Sequence, residues 1–122
     1  MNIRDIEEKE YKAIVRMIEL WNILFIEPKH KLVPKEIEFF AYNVYLNYIG
    51  VDISSARAVQ YLSEKMGGTT GKSVVYTYRD KIKKKEWLTA DRYGIILPEV
   101  FNLKTIPTLK ELLGYIQQQV EV

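Results

Sequence analysis

Gly67-Gly68-Thr69-Thr70-Gly71-Lys72-Ser73 has some of the residue types of a phosphate-binding loop, since it ends like G-x-x-x-x-G-K-[S/T]. In that loop, backbone N–H groups and the lysine cradle phosphates. The first glycine of the pattern falls on Met66, and a helical rather than a strand-like run precedes it. No parallel sheet with a magnesium-holding aspartate follows. The sequence therefore reads as a glycine turn leading into a helix cap, a place where an anion could still rest. His30, between Lys29 and Lys31, has no second histidine to share a metal, so it reads as a solvated loop residue. Glu7, Glu8 and Glu10 stand near Lys9, Lys12 and Arg16 at spacings that suit surface ion pairs better than an acid and a base facing a substrate. No serine has a base partner that the sequence nominates, and there is no cysteine. The expectation is a non-enzymatic protein with no catalytic residues, no cofactor and no metal site.

What remains is charge and where it lies. The 122-residue chain has a formal net charge of only +2, but the charge is uneven. Residues 51–90 hold eight Lys or Arg against four Asp or Glu, while the flanking stretches are each slightly acidic. A central basic region can attract phosphates; a solvated lysine-rich helix face has the same composition. With 48% apolar residues the chain can bury one sizeable core, and its size suits one domain. The absence of cysteine fits a reducing compartment. The charged start of the chain lacks the apolar segment of a signal peptide, and no apolar stretch is long enough to cross a bilayer. A cytoplasmic protein without a membrane partner is expected.

The elements that must position the basic region follow from periodicity. From Asp5 onward, Ile6, Ile14, Met17, Ile18, Trp21, Leu24 and Phe25 recur at helical spacing, with Asp5 and Glu8 as a capping box and a stop before Pro28. Val33-Pro34-Lys35-Glu36 reads as the entry to a second helix whose apolar face is Ile37, Phe40, Ala41, Val44, Tyr45 and Tyr48, ending at Gly50. Ser54 or Ser55 can cap a third helix through Ala58, Val59, Leu62 and Met66. Lys72 to Glu86 predicts an amphipathic helix with Val75, Tyr78 and Ile82 inward and a basic outer side. Trp87-Leu88-Thr89 and Gly94-Ile95-Ile96-Leu97 predict a small hairpin around Ala90-Asp91-Arg92-Tyr93. Pro107 starts a last helix with the stripe Leu109, Leu112, Leu113, Ile116 and Val120. Of the nine tyrosines, Tyr45, Tyr48 and Tyr78 fall on apolar faces, and Tyr42, Tyr61, Tyr76 and Tyr93 are expected to be more exposed.

Two helices joined by a glycine-containing turn, then a basic helix and a hairpin, is the element order of a winged helix-turn-helix. Ser54 to Met66 resembles the first helix of such a unit and Thr69 to Trp87 its recognition helix. Val75 to Leu88, with its lysine-rich end and the aromatic Trp87, resembles the junction between recognition helix and wing. With Val33 to Tyr48 ahead of it, the arrangement is similar to MarR-like winged-helix regulators over roughly two thirds of the chain. The fold class this implies is mainly α, a winged helix-turn-helix with a short β-hairpin and added terminal helices. It would form a single domain over residues 1–122, with an N-terminal helix (1–27), a winged-helix core (33–98) and a C-terminal helix (106–122).

The resemblance implies duplex DNA as partner, because a major groove admits one α-helix and the N-terminal part of that helix reaches base edges. Thr69, Thr70, Lys72, Ser73, Tyr76 and Thr77 would be presented there. Lys81, Lys83, Lys84 and Lys85 would meet the phosphate backbone, and Arg92 sits at the hairpin tip. It also implies a homodimer through the terminal helices, using the Ile14 to Phe25 face and the Leu109 to Val120 stripe. The expected role is a transcriptional regulator or architectural factor. The rival reading is a protein-interaction module on the same fold, such as a structural or adaptor component of a phage or mobile element. The near-neutral charge, the weak hairpin tip with Asp91 beside Arg92, and the abundant tyrosine point to it.

Overall fold

A computed structural model describes residues 3–67, 71–91 and 94–96. It is mainly helical: α1 (Glu8–Phe25), a 3-10 turn (Pro28–His30), α2 (Pro34–Tyr48), α3 (Ala56–Met66) and α4 (Ser73–Lys84), followed by β1 (Thr89–Asp91) and β2 (Gly94–Ile96). The strands pair antiparallel with Thr89 opposite Ile96 and Asp91 opposite Gly94. The first strand begins two residues later than the β-prone run Trp87-Leu88-Thr89 suggests. Trp87 and Leu88 are instead buried in the core, where an aromatic and an aliphatic side chain are worth more than in a two-stranded ladder. The expected C-terminal helix from Pro107 lies outside the described residues. Among the described residues, no helix is long and apolar enough to cross a membrane.

The centre is α2. Its expected inward face was one stripe, but Glu36, Phe39, Asn43 and Leu46 are buried as well as Ile37, Phe40, Ala41, Val44 and Tyr45. A helix buried around most of its circumference needs cover on several sides. Here α1, α3 and α4 all pack on it, and α3 also packs on α4. From α1 come Ile14, Met17 and Ile18, from α3 Ala58, Val59 and Leu62, and from α4 Val75 and Ile82. The part of the α1 face expected at a subunit contact is thus consumed within the chain at Ile14, Met17 and Ile18. Ile23 remains exposed on α1.

Helix ends are set by local chemistry. α1 begins at Glu8 and not at Asp5, because the Glu7 N–H donates to the Glu10 carboxylate (3.0 Å). Asp5 and Ile6 precede the helix as an extended arm. α2 has proline at its first position, and the Val33 N–H donates to Glu36 (2.9 Å). It stops at Gly50, whose φ of 85° lets the Gly50 N–H reach the Asn47 carbonyl (3.1 Å) and Val51 N–H reach Leu46 (2.9 Å). Ser55, rather than Ser54, caps α3 by accepting from the Ala58 N–H (3.2 Å). α4 ends with the same double bond pattern as α2, Glu86 to Lys83 and Trp87 to Ile82 (both 2.9 Å), but the left-handed residue is Glu86 (φ 66°).

That ending is stitched to the loop before α2. The Trp87 indole N–H donates to the His30 carbonyl (2.7 Å), and the His30 Nδ1–H donates to the Lys85 carbonyl (2.9 Å). The ring of Trp87 meets Phe40 edge-on at 5.2 Å. Lys85 Nζ lies 2.5 Å from the buried carboxylate of Glu36. His30 is therefore a mostly buried structural clasp and not a solvated loop residue, and Lys85 is turned inward and not available for a phosphate. On the other side of the same loop, Asn22 accepts from the Leu32 N–H (2.8 Å) and donates to the Leu32 carbonyl (3.0 Å), tying α1 to it.

Glu36→Ala is expected to lower stability by roughly 2–3 kcal/mol, because it strands a partly buried ammonium and the Val33 N–H together. Urea unfolding should show a lower midpoint at unchanged slope; a loss below about 0.5 kcal/mol would mean the pair behaves as an ordinary surface ion pair.

Candidate functional site

Along α4, Val75, Arg79 and Ile82 are buried, and Ser73, Thr77, Asp80 and Lys84 run at four- and three-residue steps down the centre of the exposed side. Tyr76 and Lys83 flank that line on one side and Lys81 on the other. Six of the expected contact residues, Ser73, Tyr76, Thr77, Lys81, Lys83 and Lys84, thus sit on one exposed helix surface, with Lys72 at the helix start as its N-cap. Thr69, Thr70 and Arg92 lie outside the described residues, as does Tyr93.

The electrostatics of this surface differ from a plain lysine face. Asp80 stands at its centre and holds Lys84 at 3.1 Å. Lys81 Nζ lies 5.6 Å from the Tyr78 ring centroid. Lys72 and Lys83 have no ion-pair partner among the described residues. Thr77 donates its hydroxyl proton back to the Ser73 carbonyl (3.0 Å), so it faces solvent as an acceptor. Tyr78, expected inward, is half-buried and stacked on Phe39 at 5.4 Å.

Arg79 is the residue that periodicity should have flagged, since it falls four after Val75 and three before Ile82, on the buried side. Its guanidinium donates to the Ile53 carbonyl in the connector between α2 and α3. Its Nε–H is buried without a partner, and burial lowers its pKa below the ordinary guanidinium value. The Tyr76 ring lies 5.9 Å from the guanidinium carbon.

A second polar cluster joins the N-terminal arm to α3. The Tyr61 hydroxyl donates to Asp5 (2.8 Å) and accepts from the Ile6 N–H (3.2 Å), and Lys65 pairs with Asp5 at 2.6 Å. Tyr45 donates to the Arg4 carbonyl (2.6 Å), and Tyr11 stacks on Tyr42 at 5.1 Å. Tyr61 is thus buried and Tyr42 half-buried, against the expectation that both are exposed. The arm and the outer side of α3 line an open cleft of about 500 Å³ with Asp5, Arg57, Gln60, Glu64 and Lys65. Nothing in local periodicity brings Asp5 to Tyr61, 56 positions away; the packing of both α1 and α3 on α2 does so.

Among the described residues no group of three or more His, Cys, Asp or Glu side chains could hold a metal ion. Comparison with protein families, curated proteins and solved structures finds no match for this chain.

The Lys65 ammonium, and after it the Tyr61 hydroxyl, hold the Asp5 carboxyl below its ordinary pKa. A carboxyl with a depressed folded-state pKa stabilises the fold above its unfolded pKa, and this contribution is lost as pH falls through the folded value. An NMR titration should place the Asp5 midpoint below that of an unpaired aspartate, and Lys65→Met should move it up. An unmoved midpoint would show that the ion pair does not persist in solution.

Proposed function

We propose that this protein is a non-enzymatic duplex DNA-binding protein, a transcriptional regulator or architectural factor, in which α4 is the element that enters the major groove. The observation that carries this reading is the outer surface of α4. An inward face of Val75, Arg79 and Ile82 fixes the helix, and the opposite side presents Lys72, Ser73, Tyr76, Thr77, Lys81, Lys83 and Lys84 to solvent. Support comes from the order α2, α3, α4 and then an antiparallel ladder, which is that of a winged helix-turn-helix of MarR-like arrangement. In this reading Lys72 and Lys83 neutralise phosphates, Ser73 and Thr77 face the groove floor, and Lys84 shares its charge with Asp80. Thr69, Thr70 and Arg92 belong to the same proposal as further contacts, on the sequence alone. Homodimerisation through the terminal helices belongs to the same proposal; on α1 it would have to use the exposed side around Ile23.

One observation favours the rival reading, a protein-interaction module of the adaptor kind. Asp80 puts a negative charge in the middle of the surface, and exposed Tyr76 beside it is a side chain that protein interfaces favour.

Salt dependence separates the two. In a low-salt titration with mixed-sequence duplexes, the logarithm of the binding constant should fall linearly with that of the salt concentration, with a slope of about 0.9 per neutralised phosphate. Lys72→Ala should reduce the slope by about one. Asp80→Asn should tighten binding by roughly fivefold, the effect of about 1 kcal/mol of charge repulsion near a phosphate. Absence of binding at low salt in wild type and in the Asp80→Asn variant would decide for the protein-interaction module.

A further inference from the structure

We infer that Tyr76 is the side chain through which α4 senses the C5-methyl group of thymine, and that the buried Arg79 is the residue that positions it. This rests on the duplex-reading proposal and adds to it the chemical group recognised.

Tyr76 is 56% exposed and is the one large apolar side chain of α4 open to solvent. It lies in the first turns of the helix, the part that approaches base edges in a groove-inserted helix. Its other neighbours along the surface are charged or hydroxyl-bearing: Lys72, Ser73, Asp80 and Lys83. The major-groove edges of the four base pairs are patterns of donors and acceptors with a single apolar feature, the thymine methyl. An aromatic ring among polar groups is complementary to that feature.

The ring has a buried cation for a neighbour. Arg79 sits one turn on, only 7% exposed, with its guanidinium carbon 5.9 Å from the Tyr76 centroid. A cation is attracted to the face of an aromatic ring, and the attraction grows when the cation is shielded from water. Arg79 cannot follow the ring outward, because it is anchored by its hydrogen bond to the Ile53 carbonyl 26 positions away. No Asp or Glu among the described residues forms an ion pair with it, and its Nε–H is unsatisfied. Burying a cation on such terms is costly. An apolar side chain of similar length would fill the same space without that cost. What the guanidinium adds is an anchored positive charge next to the Tyr76 ring, and a tether between α4 and the connector that leads into α3.

The test uses the full chain and two pools of random-sequence duplexes, one made with thymidine and one with deoxyuridine, which differ only in the methyl. Wild type should bind the thymidine pool roughly three- to fivefold more tightly, the worth of burying one methyl-sized group. Tyr76→Phe should keep this preference and Tyr76→Ala should bind both pools alike. Arg79→Met, with its circular dichroism and urea midpoint close to wild type, should lose most of the preference while keeping the salt slope, a change that a purely structural arginine would not produce. Arg79→Lys should retain an intermediate preference and covers the case in which the methionine variant does not fold. Equal binding of the two pools by wild type overturns the inference and leaves duplex binding standing. Failure to bind either pool at low salt overturns the duplex reading itself. Full preference in both Arg79→Met and Arg79→Lys removes Arg79 from the account.

Discussion

Phe39, Phe40, Ala41, Val44, Tyr45 and Leu46 are all shielded from water, and a helix apolar around most of its girth stays folded only if other segments wrap it. That requirement organises the chain. α1 covers α2 with Ile14, Met17 and Ile18, while α3 and α4 cover it with Leu62, Val75 and Ile82. Each fully buried Leu, Ile or Phe contributes about 1.5–3 kcal/mol relative to exposure, so the cover on α2 outweighs any single polar contact at the edges. Because α4 contributes its inner side to this core, its outer side is the surplus that can face a partner.

The polar contacts do a different job, which is to set angles. Glu36, in the first turn of α2, receives Lys85 from just beyond α4, while Trp87 donates to the His30 carbonyl and the His30 ring donates to the Lys85 carbonyl across the same junction. At the other side of α4, Arg79 reaches the connector at Ile53. The helix is therefore held near its end and at its middle against two different parts of the chain. A buried polar group left unpaired costs more than the bond it makes is worth, so these contacts disfavour alternative packings more than they add stability. A presented surface is useful for recognition only if its orientation is defined, and these ties define it.

Charge and packing compete on α4. Four lysines accumulate between positions 81 and 85, but Lys85 is turned onto Glu36 and the exposed Lys84 is paired with Asp80, which leaves Lys81 and Lys83 with Lys72 as the outward cations without a carboxylate partner among the described residues. The lysine run therefore overstates the field that a partner meets. It also explains why a carboxylate is tolerated on a basic surface. Asp80 and Lys84 are one helical turn apart, where opposite charges stabilise the helix and offset each other.

Helix existence was legible in the residues, because apolar side chains three and four apart leave a helix few other ways to bury them. The order of four helices, the proline entry at Pro34 and the stop at Gly50 all follow from local chemistry. The exposed positions of Ser73, Tyr76, Thr77, Lys81, Lys83 and Lys84 follow from the same period. Contacts between distant positions were not legible. That α1 starts at Glu8 and leaves Asp5 free to meet Tyr61 and Lys65, that His30 is a clasp, that Trp87 and Leu88 enter the core and not a strand, and that Arg79 is buried against Ile53 were all decided by tertiary packing. Periodicity records which side of an element avoids water; it carries no information about which polar group waits on the neighbouring element, and that neighbour decides whether a charged side chain is presented or consumed.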